Sequence, residues 1–192
     1  MGGKTETRIG QWIAAEVAGD CCWTYTGPRI NMATNKSFRS SASFGKRIEY
    51  WIIGRMLKEG IDVYVPLVDD HAVDAIIKRG DGSTALIQIK ARSRDVIAGD
   101  AALFAAIPHY EVMQNYWFVF YSERMDTTWV MTSAEFDKEA VKNKSGKNIG
   151  RRSIWFNGKR KNRQTGVAEE YCRPQWEKYI VTDFSRIAND AM

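Results

Sequence analysis

The chain has 192 residues, 44% of them hydrophobic, which is enough apolar material for one well-buried domain and too little for two. Its 28 Lys and Arg against 23 Asp and Glu give a formal charge of +5, and Cys21, Cys22 and Cys172 have the spacing of neither a disulfide framework nor a zinc site, which excludes a cystine-stapled scaffold. The opening "MGGKTETRIG" has no apolar signal core and runs such as "WII" and "YWFVFY" are far too short for a bilayer, so a soluble, cytoplasmic chain with no membrane partner is expected.

Ile9, Trp12, Ile13 and Val17 recur at helical spacing and predict a short first helix, followed by a polar loop punctuated by Gly27-Pro28, so that 1–42 is helix and loop. Phe44, Ile48, Trp51, Ile52 and Met56 mark a helix over 43–59, with Ser43 placed to cap it and Gly60 to end it. "IDVYVPLV" reads as a strand, then comes a hairpin over Val73–Arg92, a loop around Gly99-Asp100 and the apolar run "AALFAAI". "NYWFVFYS" and "TTWVMT" are two more strands, and "SAEFDKEAVK" is a helix opening at Ser133. Residues 43–132 are thus the expected core, 140–168 a basic insertion or loop, and 174–190 a last helix begun by Pro174 with Trp176, Ile180, Phe184 and Ile187 on one face. The order of elements predicts a single α/β domain over 1–192, with a mixed central sheet flanked by helices.

The hairpin fixes its own register. A two-residue Asp81-Gly82 turn would set Asp74 opposite Ile89 and break the apolar face. A three-residue loop, Gly80-Asp81-Gly82 with a glycine at positive φ, pairs Ile77 with Ala85, Ala75 with Ile87 and Asp74 with Gln88. That register puts Val73, Ala75 and Ile77 with Ala85, Ile87 and Ile89, and gathers Asp74, Gln88 and Lys90 on the opposite surface. A carboxylate and an amide oxygen suit a hard cation such as Mg²⁺, and a neighbouring ammonium can orient water beside a phosphate. Glu49, on the preceding helix, is placed to lean toward the same spot. The competing reading is a surface ion pair on a half-exposed sheet.

Charge is distributed unevenly. No acidic residue lies between Glu139 and Glu169, an interval holding Lys142, Lys144, Lys147, Arg151, Arg152, Lys159, Arg160, Lys161 and Arg163. A second acid-free interval, Cys21 to Ile48, holds Arg29, Lys36, Arg39, Lys46 and Arg47. Concentrated positive charge points to a nucleic-acid partner, with a solvated basic loop as the alternative and Trp155 and Phe156 serving either as a strand anchor or as stacking groups.

Glu49 on a helix, "GIDVYVP", "VDAII", a tight turn and "IQIKAR" together resemble the core of the PD-(D/E)xK nuclease superfamily, the restriction-endonuclease-like fold, in its QxK variant; the layout is similar to small endonucleases such as archaeal Holliday-junction resolvases. The match covers roughly 43–92, with Val73 in place of the motif proline and neutral Gln88 at the D/E position. The resemblance implies a metal-dependent endonuclease acting on DNA, with Glu49, Asp74 and Gln88 holding Mg²⁺ or Mn²⁺, the Ile89 carbonyl as a further ligand, and Lys90 completing the catalytic set. Lys46, Arg47, Arg92 and Arg94, with Lys159, Arg160, Lys161 and Arg163, would hold phosphates, and His71 is read as solvent-facing. A catalytically inactive nucleic-acid-binding module, an RNA-directed nuclease and a homodimer all stay open.

Overall fold

The computed structural model describes residues 12–17, 20–25, 40–68, 71–96, 100–164 and 166–189. The chain divides into two compact units, Met1–Phe38 and Arg39–Met192.

In the first unit, β1 (Trp12–Val17) and β2 (Asp20–Tyr25) form an antiparallel ladder from Trp12↔Tyr25 to Val17↔Asp20. The helix expected around Trp12, Ile13 and Val17 is therefore a strand, and the loop expected after it begins as one; Ile9 lies outside the described residues. The stretch is rich in Ile, Val, Thr, Trp and Tyr, whose strand preference overrides a helical spacing that rests on few positions.

The second unit opens with α1 (Ser41–Lys58). Its cap is Ser40, whose Oγ accepts the Ser43 N–H at 3.2 Å, three residues before the expected cap. Gly60, at φ 79°, ends it as expected. The central sheet is mixed, with the order β3-β4-β5-β7-β8: β3 (Asp62–Tyr64), β4 (Ala75–Lys78), β5 (Thr84–Arg92), then β6 (Leu103–Ile107) outside this sheet, β7 (Tyr116–Ser122) and β8 (Thr127–Thr132). All its ladders are antiparallel except β5–β7, which is parallel, so the chain crosses over the sheet between them and carries β6 on the way. Helices flank this sheet, as the α/β reading requires.

Two apolar clusters cover its faces. On one, Ile52, Ile53 and Met56 of α1 pack with Ala75, Ile77, Ala85, Ile87, Ile89, Trp117 and Val119, and with Phe184 and Ile187 from the C-terminal segment. On the other, Phe118, Phe120 and Met131 pack with Phe104 and Ile107 of β6, Phe136 of α2 (Ser133–Glu139), and Ile154 and Phe156. Thr132 caps α2, and its backbone N–H donates to Glu135 in return, a capping box.

The basic segment is largely strand. After α2 come β9 (Val141–Lys142), a 3-10 turn (Gly146–Asn148), β10 (Arg152–Trp155) and β11 (Asn157–Lys161). β9 and β6 flank β10 in a three-stranded sheet. Phe156 is fully buried and stacks on Trp129 at 4.6 Å, which makes it an anchor of the fold. β11 pairs with β12 (Ala168–Cys172).

The single last helix does not form. A 3-10 helix (Pro174–Tyr179) is followed by an extended Ile180 bridged to Trp129, and then by the short α3 (Ser185–Ala188). The Val181 N–H donates to Thr128 O, so the open edge of β8 captures this segment. Trp176 ends on the β6 side of the sheet while Phe184 and Ile187 end on the α1 side, not on one shared face.

Candidate nuclease-like site

The β4–β5 hairpin has the register that the apolar pattern demands: Ala75↔Ile87, Ile76↔Leu86, Ile77↔Ala85 and Lys78↔Thr84. The Arg79 N–H donates to Ser83 O at 2.9 Å, closing a three-residue loop, Gly80-Asp81-Gly82, in which Gly82 has φ 86°. Asp81 Oδ1 accepts the Ser83 N–H at 2.8 Å. That bond and the one to the Ser83 side chain hold the exposed Asp81 carboxyl below its ordinary pKa.

The regular ladder stops at Ala75. Val73, expected beside Ala75 and Ile77, packs instead against the opposite cluster with Leu86, so side-chain alternation breaks between Val73 and Ala75. Asp74 occupies the break. Its N–H donates to Ile87 O at 2.8 Å, and its Oδ2 accepts the Ile89 N–H at 2.6 Å. The carboxylate thus turns into the ladder and satisfies a strand donor at the fork where β4 leaves off and β5 continues. It sits on the peptide between the other two motif residues, Gln88 and Lys90.

Alternation along β5 directs Gln88 and Lys90 away from α1, beside Phe118 and Phe120 in the parallel ladder. Gln88 is only 2% exposed, so it is a buried amide and not the outward polar residue of a half-exposed sheet. Lys90 is half-buried and lines a cleft of about 200 Å³ with Arg92 and with Phe104, Ala105 and Ile107 from the β6 region.

Glu49 approaches from the α1 side. Its Oε2 is shielded from solvent and lies 2.7 Å from Lys46 Nζ, one turn earlier on the helix. The pairing with Glu49 raises the Lys46 ammonium above its ordinary pKa, and the charge of Asp74 acts in the same direction. Lys46, expected to hold phosphate, therefore stands in the field of both carboxylates. Among the described residues no group of three His, Cys, Asp or Glu side chains converges on one point.

Most of the expected phosphate-binding cations already have partners. Arg92 Nε donates to Asp100 O at 2.6 Å, and burial lowers the guanidinium's pKa. Arg94 pairs with Glu123 at 3.3 Å. Glu123 also accepts from the Ser93 hydroxyl and the Arg94 N–H, pinning the turn after β5, a role with no local sequence signal. Lys159 pairs with Asp100 at 2.8 Å and approaches Glu170 at 3.8 Å; Arg160 lies 3.8 Å from Glu169 and over the Tyr171 ring. These contacts follow the β11–β12 register, which sets Lys159 opposite Glu170 and Arg160 opposite Glu169. Arg47, Lys161, Arg163 and His71 are exposed. Among the described residues no helix is long and apolar enough to cross a membrane.

No family model matches the chain, and no curated protein is similar to it in sequence. A bacterial homing endonuclease, I-Ssp6803I, has a similar solved structure, with a TM-score of 0.49 and 18% identity over 74% of this chain and 89% of that one.

Proposed function

We propose that this chain is a metal-dependent endonuclease that hydrolyses phosphodiester bonds in DNA. The observation that carries the reading is the fork at Asp74, where a carboxylate bonded to the Ile89 N–H lies between Gln88 and Lys90 on β5. The resemblance of these residues to the QxK form of the PD-(D/E)xK motif supports it.

Glu49, Asp74 and Gln88 would hold Mg²⁺ or Mn²⁺, which supplies Lewis-acid stabilisation of charge on the scissile phosphate. The ammonium of Lys90, set in a partly closed cleft, orients the attacking water and offsets charge building on the phosphoryl oxygens. The bond to Ile89 holds the Asp74 carboxylate before substrate arrives, so its orientation needs no rearrangement. Arg47, Lys161 and Arg163 are exposed cations that can contact flanking phosphates and position the nucleic acid without reading its sequence.

The test is cleavage of duplex, single-stranded and branched DNA and of RNA, with Mg²⁺, with Mn²⁺ and with chelator. Metal-dependent scission of DNA that is lost in Lys90→Ala is the expected result. A second reading, an inactive nucleic-acid-binding module, draws on the burial of neutral Gln88. It is the outcome if DNA is bound but no metal yields product and Gln88→Glu restores none.

A further inference from the structure

Beside the Asp74 fork, on the α1 face of the sheet, lies a cleft of about 440 Å³ that takes no part in the proposed hydrolysis. Its wall is aromatic. Trp51 leans on Tyr121, the ring centroids 4.8 Å apart, and the Arg55 guanidinium lies 5.1 Å from the Trp51 ring on the next turn of α1. The Trp51 side chain is 42% exposed, whereas Trp117 and Trp129 are buried in the two apolar clusters. A part-exposed indole beside a second ring and a guanidinium is a surface on which a planar group can stack.

Besides Ile180 and Val181, the rest of the cleft carries polar groups held in place. Arg55 Nη1 donates to Thr128 Oγ1 at 3.3 Å and Nη2 to Thr182 O at 2.8 Å, two neutral acceptors that hold the guanidinium without compensating its charge. Tyr121 OH donates to Asp126 Oδ1 at 2.9 Å; burial, the bond to Asp126 and that residue's charge push the phenol pKa up to about 12, so it stays a donor. Asp126 and the Thr127 and Thr182 hydroxyls offer acceptors around the rim. Tyr121 pairs with Ala91, two residues beyond Ile89 on β5, whose N–H holds the Asp74 carboxylate.

We infer that this cleft binds an unpaired nucleobase of the DNA strand engaged at the Asp74 fork, stacked on Trp51 and Tyr121 with its polar edge toward Asp126 and the threonine hydroxyls. The inference rests on the nuclease reading and narrows its substrate to DNA that presents an unpaired nucleotide next to the cut. A stacked duplex offers no free ring face to Trp51; a single strand, flap or junction does.

The experiment titrates the full chain in chelator, so that nothing is cut, into a short single-stranded DNA carrying 2-aminopurine and into the duplex of the same sequence. Wild type is expected to quench the single-strand probe on binding. Trp51→Ala should weaken single-strand affinity by about five- to a hundredfold and abolish the quench, while Trp51→Phe retains part of both. Duplex affinity should be the same in all three proteins. Melting curves of the variants should match wild type, since Trp51 is not a core residue. Single-strand binding that survives Trp51→Ala unchanged, or a loss shared equally with duplex, overturns the base site and leaves the nuclease reading standing. Failure to bind either DNA overturns both.

Discussion

Asp74 is asked to do two things, and two substitutions separate them. Its carboxylate accepts the N–H of Ile89, a residue only 3% exposed, so Asp74→Ala leaves a strand donor in the interior without its acceptor. Loss of a hydrogen bond to a charged group, together with the stranded donor, amounts to about 2 kcal/mol. Relief of repulsion from Glu49 offsets little of this, because Lys46 already pairs with Glu49. For a chain of this size that is a fall in Tm of roughly 4–8 °C. Asp74→Asn keeps an oxygen for the Ile89 N–H and removes the charge, so it should lose less than about 1 kcal/mol. Both variants should be inactive, and both should lose the response of Tm to Mg²⁺. Thermal melts with and without Mg²⁺, followed by a cleavage assay, measure all of these. An Asp74→Ala protein melting within about 1 °C of wild type would refute the fork geometry, and one that still cuts would refute the assignment of Asp74.

Gln88→Glu should lower stability without metal, because a carboxylate at a 2% exposed position must be neutralised or paired, and added Mg²⁺ should restore it; denaturant titrations with and without Mg²⁺ show whether it does. His109 is buried edge-on to Phe118 and Phe136, its Nε2 3.2 Å from Ser133 Oγ. Burial holds its pKa below the ordinary value of 6.5, so the unfolded chain binds the proton more readily. Stability that is complete above the ordinary histidine range should therefore fall as pH drops below it. Urea midpoints across that range should show this for wild type and a weaker dependence for His109→Phe. Lys161→Gln and Arg163→Gln should each lower the log-log salt slope of DNA binding by about one, whereas Lys159→Gln should leave it nearly unchanged, because Lys159 already pairs with Asp100 and approaches Glu170.

What was legible in the sequence was whatever a single strong pattern constrained. The hairpin register could be read because only a three-residue loop keeps Ala75, Ile77, Ala85 and Ile87 on one side. The core strands and α1 were long enough for their periods to show. The helices expected at the two ends each rested on a few apolar residues, a spacing that β1, or a 3-10 turn followed by a bridge, satisfies as well. What decided the C-terminal segment was the unpaired edge of β8, which lies some fifty residues earlier in the chain. Folding also changes the surroundings of the basic run. Counting along the chain finds no acid near Lys159 and Arg160, but folding puts Glu170 and Glu169 directly across the ladder from them. The face switch at Val73 had no signal at all, since it arises where a side chain, Asp74, takes over a bond that backbone would otherwise make.

The neutral residue at position 88 follows from the same geometry. Lys46 pairs with Glu49 and also feels the charge of Asp74, so the two carboxylates are balanced only in part within the protein itself. A carboxylate at position 88 would be buried beside Phe118. An amide there spares the fold that penalty. On the proposed metal-dependent reading, the two carboxylates carry more of the load, and a hard cation would compete with Lys46 for Glu49.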